Sequence, residues 1–97
     1  MGIEVRVAGP LQRLTSGMKT VHAEGATTGQ LIENLDALYP GFRDRLVAEN
    51  GGLRSFINVF VNDVDIRLLQ GLETPLKDGD SVSIIPAMAG GSGARRR

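Results

Sequence analysis

The sequence predicts an α+β domain in which one mixed sheet carries a single main helix on one face. Three observations predict it. Alternating apolar residues recur at 3–7, 56–61 and 81–85, near both ends and in the middle of the chain. One segment between them, 27–38, repeats its apolar residues at helical spacing instead. Clusters of Gly, Pro, Asn and Asp punctuate the rest, with no internal repeat.

Ile3, Val5 and Val7 alternate with Glu4 and Arg6, which makes a half-buried strand that Ala8-Gly9-Pro10 stops. Residues 11–17 read as a connection ending in the turn signal Ser16-Gly17. A weaker strand follows at 18–23, so the first two strands suggest a hairpin. Thr27 and Gln30 have capping-box spacing, in which threonine caps an N–H and glutamine reaches back. Leu31, Ile32, Leu35 and Leu38 then form the apolar stripe, with Glu33, Asn34 and Asp36 on the other face. Pro40 disfavours the helical conformation at Tyr39, and Pro40-Gly41 ends the helix.

Residues 42–48 predict a second short helical piece, with Phe42, Leu46 and Val47 facing inward, and residues 49–52 a loop. The strongest strand is 56–61, with Ile57, Val59 and Val61 on one face. Asn62-Asp63 turns the chain into a short strand at 64–66. Residues 68–80 read mainly as loop, with turns at Thr74-Pro75-Leu76 and Asp78-Gly79-Asp80. The last strand is 81–85. A hairpin, a crossover helix and a returning hairpin make a β-grasp arrangement of four to five strands. The crossover rule brings the last strand or its neighbour parallel to the first.

Composition bounds the function. Ninety-seven residues suit one domain, expected here over residues 1–89 with a flexible tail over 90–97. The absence of cysteine excludes disulfides and thiolate chemistry, and the single histidine, His22, cannot build a metal cluster. His22 itself reads as a strand surface residue. No apolar run is long enough to span a membrane, and the N-terminus lacks signal-peptide features, so a soluble, cytoplasmic monomer is expected. Arg95, Arg96 and Arg97 supply three of the 11 basic residues, and none of the 11 acids lies beyond Gly91. Residues 1–91 therefore carry a net charge of −3, which argues against nucleic acid as the partner.

The stretch Val82-Ser83-Ile84-Ile85-Pro86-Ala87-Met88-Ala89-Gly90-Gly91 organises the chain. Pro86 has no N–H for a sheet ladder, so pairing should stop there or continue along an edge. Small residues and two glycines follow. Six extended residues reach roughly 20 Å, enough backbone to enter a narrow tunnel in another protein.

With these elements in place the chain resembles the ThiS/MoaD-type sulfur carriers of the ubiquitin-like superfamily, close to the bacterial carriers of cysteine biosynthesis. The residues that carry the resemblance are Ile57-Asn58-Val59-Phe60-Val61-Asn62, Leu76-Lys77-Asp78-Gly79-Asp80 and the 82–91 stretch. It implies that an ATP-dependent activating enzyme adenylates the carboxylate of Gly91. A sulfur donor then converts the adenylate to a thiocarboxylate for a biosynthetic acceptor enzyme. Ala87, Met88, Ala89 and Gly90 would be the tail presented to the activating enzyme. The carrier itself binds no cofactor or metal and has no catalytic residue. Related members instead form isopeptide bonds with lysines of other proteins.

The sequence departs from that pattern by continuing past Gly91 into Ser92-Gly93-Ala94-Arg95-Arg96-Arg97. A carboxyl locked in a peptide bond cannot be adenylated. One reading is a precursor cut between Gly91 and Ser92, for example by a JAMM-type metalloprotease. Others are an extension on a carrier that is never cut, or a domain that works by non-covalent binding alone.

Phe60 and Ile85 fall on the sheet face opposite the expected helix and are read as an apolar partner patch. The competing reading is that residues 68–72 cover Phe60. Arg54 and Arg67 read as solvated surface. Asp78 and Asp80 read as turn formers, although the resemblance implies an acidic rim beside the tail. Lys19 and Lys77 are the only lysines.

Overall fold

The computed structural model describes residues 2–86. Five strands form one sheet in the order β2-β1-β5-β3-β4. They are β1 (Ile3–Val7), β2 (Thr20–Ala23), β3 (Ile57–Val61), β4 (Val64–Asp65) and β5 (Ser81–Pro86). β1 and β5 run parallel, as the crossover rule requires, and every other pairing is antiparallel. Helices α1 (Thr28–Leu38) and α2 (Phe42–Leu46) link β2 to β3.

Alternation decides which face is buried. Ile3, Val5, Val7, Val59, Val82 and Ile84 are all buried on one face. They meet Leu31, Ile32 and Leu35 of α1 and Phe42 and Leu46 of α2 in a single core. Val47 is buried beside them, as its place in the pattern suggests. Burying each such side chain stabilises the fold by about 1.5–3 kcal/mol, before the loss of conformational entropy.

The cap of α1 forms with one shift. Thr27 Oγ1 accepts the Gln30 N–H at 3.2 Å, but Gln30 Oε1 reaches Ala26 N rather than Thr27 N. Leu38, expected on the buried stripe, is 59 % exposed. The chain turns back through Gly41 at φ 101°, and Phe42 fills the core beyond Leu35 while Tyr39 packs against its edge. No core surface is left for Leu38 to cover. Asp36, expected merely to face solvent, accepts the N–H groups of Gly41 and Arg43 at 3.1 Å and so joins the two helices. Glu33 bonds Arg43 on the same surface and raises its guanidinium pKa, through the hydrogen bond first and charge attraction second.

Other boundaries move for identifiable reasons. The expected connection at 11–17 contains a 3-10 helix, Gly9–Thr15, that buries Leu11. β2 begins at Thr20 rather than residue 18, although the Lys19 carbonyl still accepts the Val7 N–H at 2.8 Å. β3 begins at Ile57, one residue later than expected. β4 ends at Asp65 because its carboxylate caps a short 3-10 turn, Ile66–Leu68, by accepting the Arg67 N–H at 2.8 Å. The expected loop at 68–80 holds a further 3-10 turn, Gly71–Glu73, which packs against α1.

The β3–β4 turn has positive φ at both central residues, 50° at Asn62 and 75° at Asp63, the geometry of a type I′ hairpin. Asn62 then uses its amide to close the far end of the sheet. Nδ2 donates to Asp80 Oδ1 at 3.1 Å, and Oδ1 accepts the Ser81 N–H at 3.1 Å. Asp80 Oδ2 in turn accepts the Lys77 N–H at 3.0 Å, which confirms Asp80 as a turn former. Asn62→Ala is expected to cost about 1–3 kcal/mol through the orphaned Asp80 and the strained φ. Urea unfolding should show a lower midpoint at unchanged slope. Asn62→Gly, which tolerates the φ but lacks the amide, should lose less.

Candidate functional site

The expected reacting carboxylate at Gly91 lies outside the described residues, together with Ala87, Met88, Ala89, Gly90 and Ser92. So does the boundary expected at residue 89. The structure describes the root from which those residues leave. The Ala8 N–H donates to the Ile84 carbonyl at 3.1 Å, so even-numbered residues of β5 turn their backbone groups toward β1. The Asn62 N–H donates to the Ser81 carbonyl at 2.8 Å, so odd-numbered residues face β3. By this alternation Ile85 addresses Asn58, its partner in register, and Pro86 addresses the β1 side.

On that side β1 has already ended. Its register with β5 stops at Val7↔Ile84, and the chain coils into the 3-10 helix at Gly9. Pro86 thus lacks an N–H where no strand remains to use it. Among the described residues, the Asn58–Ile85 pair is the last of β5 whose backbone groups face β3.

Arg67 braces this rung from the opposite edge. Its guanidinium donates to the carbonyls of Arg54 at 2.9 Å and Ile57 at 2.7 Å, and to Asn58 Oδ1 at 3.0 Å. The expectation that Arg67 is merely solvated surface is therefore corrected. Sequence reasoning missed it because its partners are two carbonyls and an amide 9 to 13 residues away.

Phe60 and Ile85 sit on the outer sheet face, away from the helices. Phe60 is opposite Ser83 and hence diagonal to Ile85, at a Cα distance of about 7–8 Å. Phe60 is half-buried and Ile85 is 41 % exposed. Residues 71 and 72 of the 68–72 segment turn away from them. These two lie on the helix side, where Thr28 Oγ1 donates to the Gly71 carbonyl at 2.8 Å and Leu72 packs against the core. Arg6 lies beyond Ser83 on β1, and Arg67 beyond Asn58, so cations flank the apolar pair.

The acidic turn lies elsewhere. Asp78 and Asp80 precede β5, at the end of the sheet opposite the tail root, because the tail follows that same strand's other end. They form no rim beside it. A cavity of about 360 Å³ also opens at that far end, lined by Ile3, Glu24, Gln30, Asn34, Lys77 and Asp78. Gln30 and Asn34 already bond backbone groups of Ala26 and Glu24 there. His22 is exposed on β2 opposite Glu4, as its strand position suggested. Among the described residues no cluster of His, Cys, Asp or Glu could hold a metal ion, and no helix is long and apolar enough to cross a membrane.

Comparison with known proteins places this geometry. The model of the ThiS family matches residues 5–91, ending on Gly91. The chain belongs to the ThiS family. The sulfur carrier protein CysO of Mycobacterium tuberculosis is 44 % identical over 93 residues, covering 94 % of this chain and all of CysO. Small archaeal modifier protein 3 of Haloferax volcanii is 34 % identical over 94 residues, covering 94 % of this chain and all of that protein. In the crystal structure of the Amycolatopsis orientalis BexX/CysO complex, the matched chain superposes with a TM-score of 0.86 at 44 % identity. That match covers 92 % of this chain and 99 % of the other. The fold of this ThiS-family chain is thus the ubiquitin-like β-grasp that the order of its elements predicted.

The two faces of β5 make a stability prediction. Ile85→Ser should cost no more than about 1 kcal/mol, since the side chain is 41 % exposed and loses mainly strand propensity. Ile84→Ala, one residue away on the buried face, should cost about 2–5 kcal/mol. Comparable losses in denaturant titrations would show the face assignment to be wrong.

Proposed function

We propose that this chain is a sulfur carrier, a protein cosubstrate rather than an enzyme. The observation that carries the reading is its full-length similarity to the sulfur carrier CysO, with the family match ending on Gly91. The tail root supports it, because β5 has left β1 by Ile84 and offers no N–H on that side at Pro86.

The chemistry follows from the carboxylate. Cleavage between Gly91 and Ser92, by a protease such as a JAMM-type metalloenzyme, frees it. A carboxylate oxygen attacks the α-phosphorus of ATP on an activating enzyme, and pyrophosphate leaves. Hydrosulfide from a sulfur donor then attacks the carbonyl carbon, AMP leaves with the bonding pair, and a thiocarboxylate remains for a biosynthetic acceptor. Glycine suits this end because no Cβ obstructs the approach to the phosphate. Ala87, Met88, Ala89 and Gly90 thread the enzyme's channel, while Phe60 and Ile85 dock the domain on the outer sheet face. In this division of labour the partner enzymes supply the acid, base and metal chemistry, and the carrier supplies the carboxylate. The cytoplasm, where ATP is present, is the compartment it requires.

A second reading has its own support in the full-length similarity to small archaeal modifier protein 3. In it the activated Gly91 carbonyl is attacked by a lysine of another protein and forms an isopeptide bond.

The intact mass of the untagged protein from its native cells tests both. The sulfur-carrier reading expects a chain ending at Gly91, with the increment for one oxygen replaced by sulfur in part of it. Gly91 remnants on lysines of digested cell protein, without that increment, would favour the modifier. A chain retaining Arg97 while the pathway is active would overturn the carboxylate chemistry.

A further inference from the structure

We infer that Arg67 is a positioning residue for the C-terminal segment, setting where and in what direction the chain leaves the sheet. The inference rests on the proposed chemistry at Gly91 for its functional consequence, and on geometry alone for the clamp.

β4 pairs with β3 only at Phe60↔Asp65 and Val61↔Val64. Backbone groups of β3 at odd-numbered residues face that side, so the Ile57 carbonyl lies beyond the end of β4 with no strand opposite it. The Arg67 guanidinium takes the place of the missing strand. It binds the Ile57 carbonyl, the Arg54 carbonyl and Asn58 Oδ1 together. A planar fork with several donors can bridge three acceptors, which a lysine ammonium on a flexible stem does poorly. Asp65 aims it, accepting the Arg67 N–H with one oxygen and lying 4.0 Å from the guanidinium with the other.

The clamped residues are the ones that hold the tail root. Ile57 is in register with Pro86, and Asn58 with Ile85. From Ile85, Gly91 is six residues on, roughly 20 Å when extended. The clamp therefore fixes the point from which the chain departs relative to the docked face, and misplacements of even 1 Å slow chemistry steeply. With the domain docked through Phe60 and Ile85, Arg67 decides whether the segment beyond Pro86 lines up with the partner's channel.

Amide exchange on the full chain tests the clamp without any partner. Arg67→Ala should speed exchange at the Ile85 amide about tenfold while Ile84 and Val5 stay within about twofold. Asn58→Ala, which leaves both carbonyl bonds intact, should act in the same direction and less, and keeps the test readable if Arg67→Ala does not fold. Arg67→Lys should restore little. Unchanged protection at Ile85, or equal acceleration across the sheet, would overturn the clamp. ATP–pyrophosphate exchange on residues 1–91, with the adenylating enzyme of the same organism, tests the consequence. Arg67→Ala should lower kcat about tenfold with KM within about twofold, and an unchanged kcat overturns the positioning role. If the wild-type chain is not adenylated, the chemistry at Gly91 is at fault, and amide exchange still decides the clamp.

Discussion

Everything in this molecule depends on the double pairing of β5. It lies at the centre of the sheet, parallel to β1 on one side and antiparallel to β3 on the other. Its inward residues, Val82 and Ile84, are 1 % and 0 % exposed under the helices. With no cysteine, the fold rests on this buried layer and on satisfied backbone hydrogen bonds. The same strand that completes the core also leads out of it, toward Gly91.

The two ends of β5 are built differently. At its start, Asn62 and Asp80 tie the β3–β4 hairpin, the 77–80 turn and the first residue of the strand into one network. At its end β1 stops pairing at Val7, and β3, still paired through Ile57↔Pro86, is braced by Arg67. Such an arrangement suits a protein whose reacting group must be presented to other proteins, while the domain itself supplies identity and a fixed point of departure.

Much of this was legible in the residues. Alternation identified all the long strands because each buries one face only, and period-2 patterning is the direct imprint of that burial. The capping residues at Thr27 and Gln30 and the turn at Asn62-Asp63 were readable because their signals are local, whereas the type I′ geometry of that turn came from the structure. Leu38 was misread because helical spacing tells which direction a side chain points and says nothing of what lies there. The 3-10 helix at Gly9–Thr15 was missed because Pro10 and Gly9 read as breakers, while its reason for existing is the buried Leu11.

The sequence by itself determined the order of elements, the apolar faces and a Gly-Gly segment following the last strand, since each depends on neighbours within a few positions. Tertiary structure alone decided the rest. It placed Asp78 and Asp80 far from the tail root, set Phe60 and Ile85 diagonally on the outer sheet face, and brought Arg67 onto Arg54, Ile57 and Asn58. Those contacts join residues from separate elements. Their geometry comes from strand order and register, which exist only once the chain has closed its sheet.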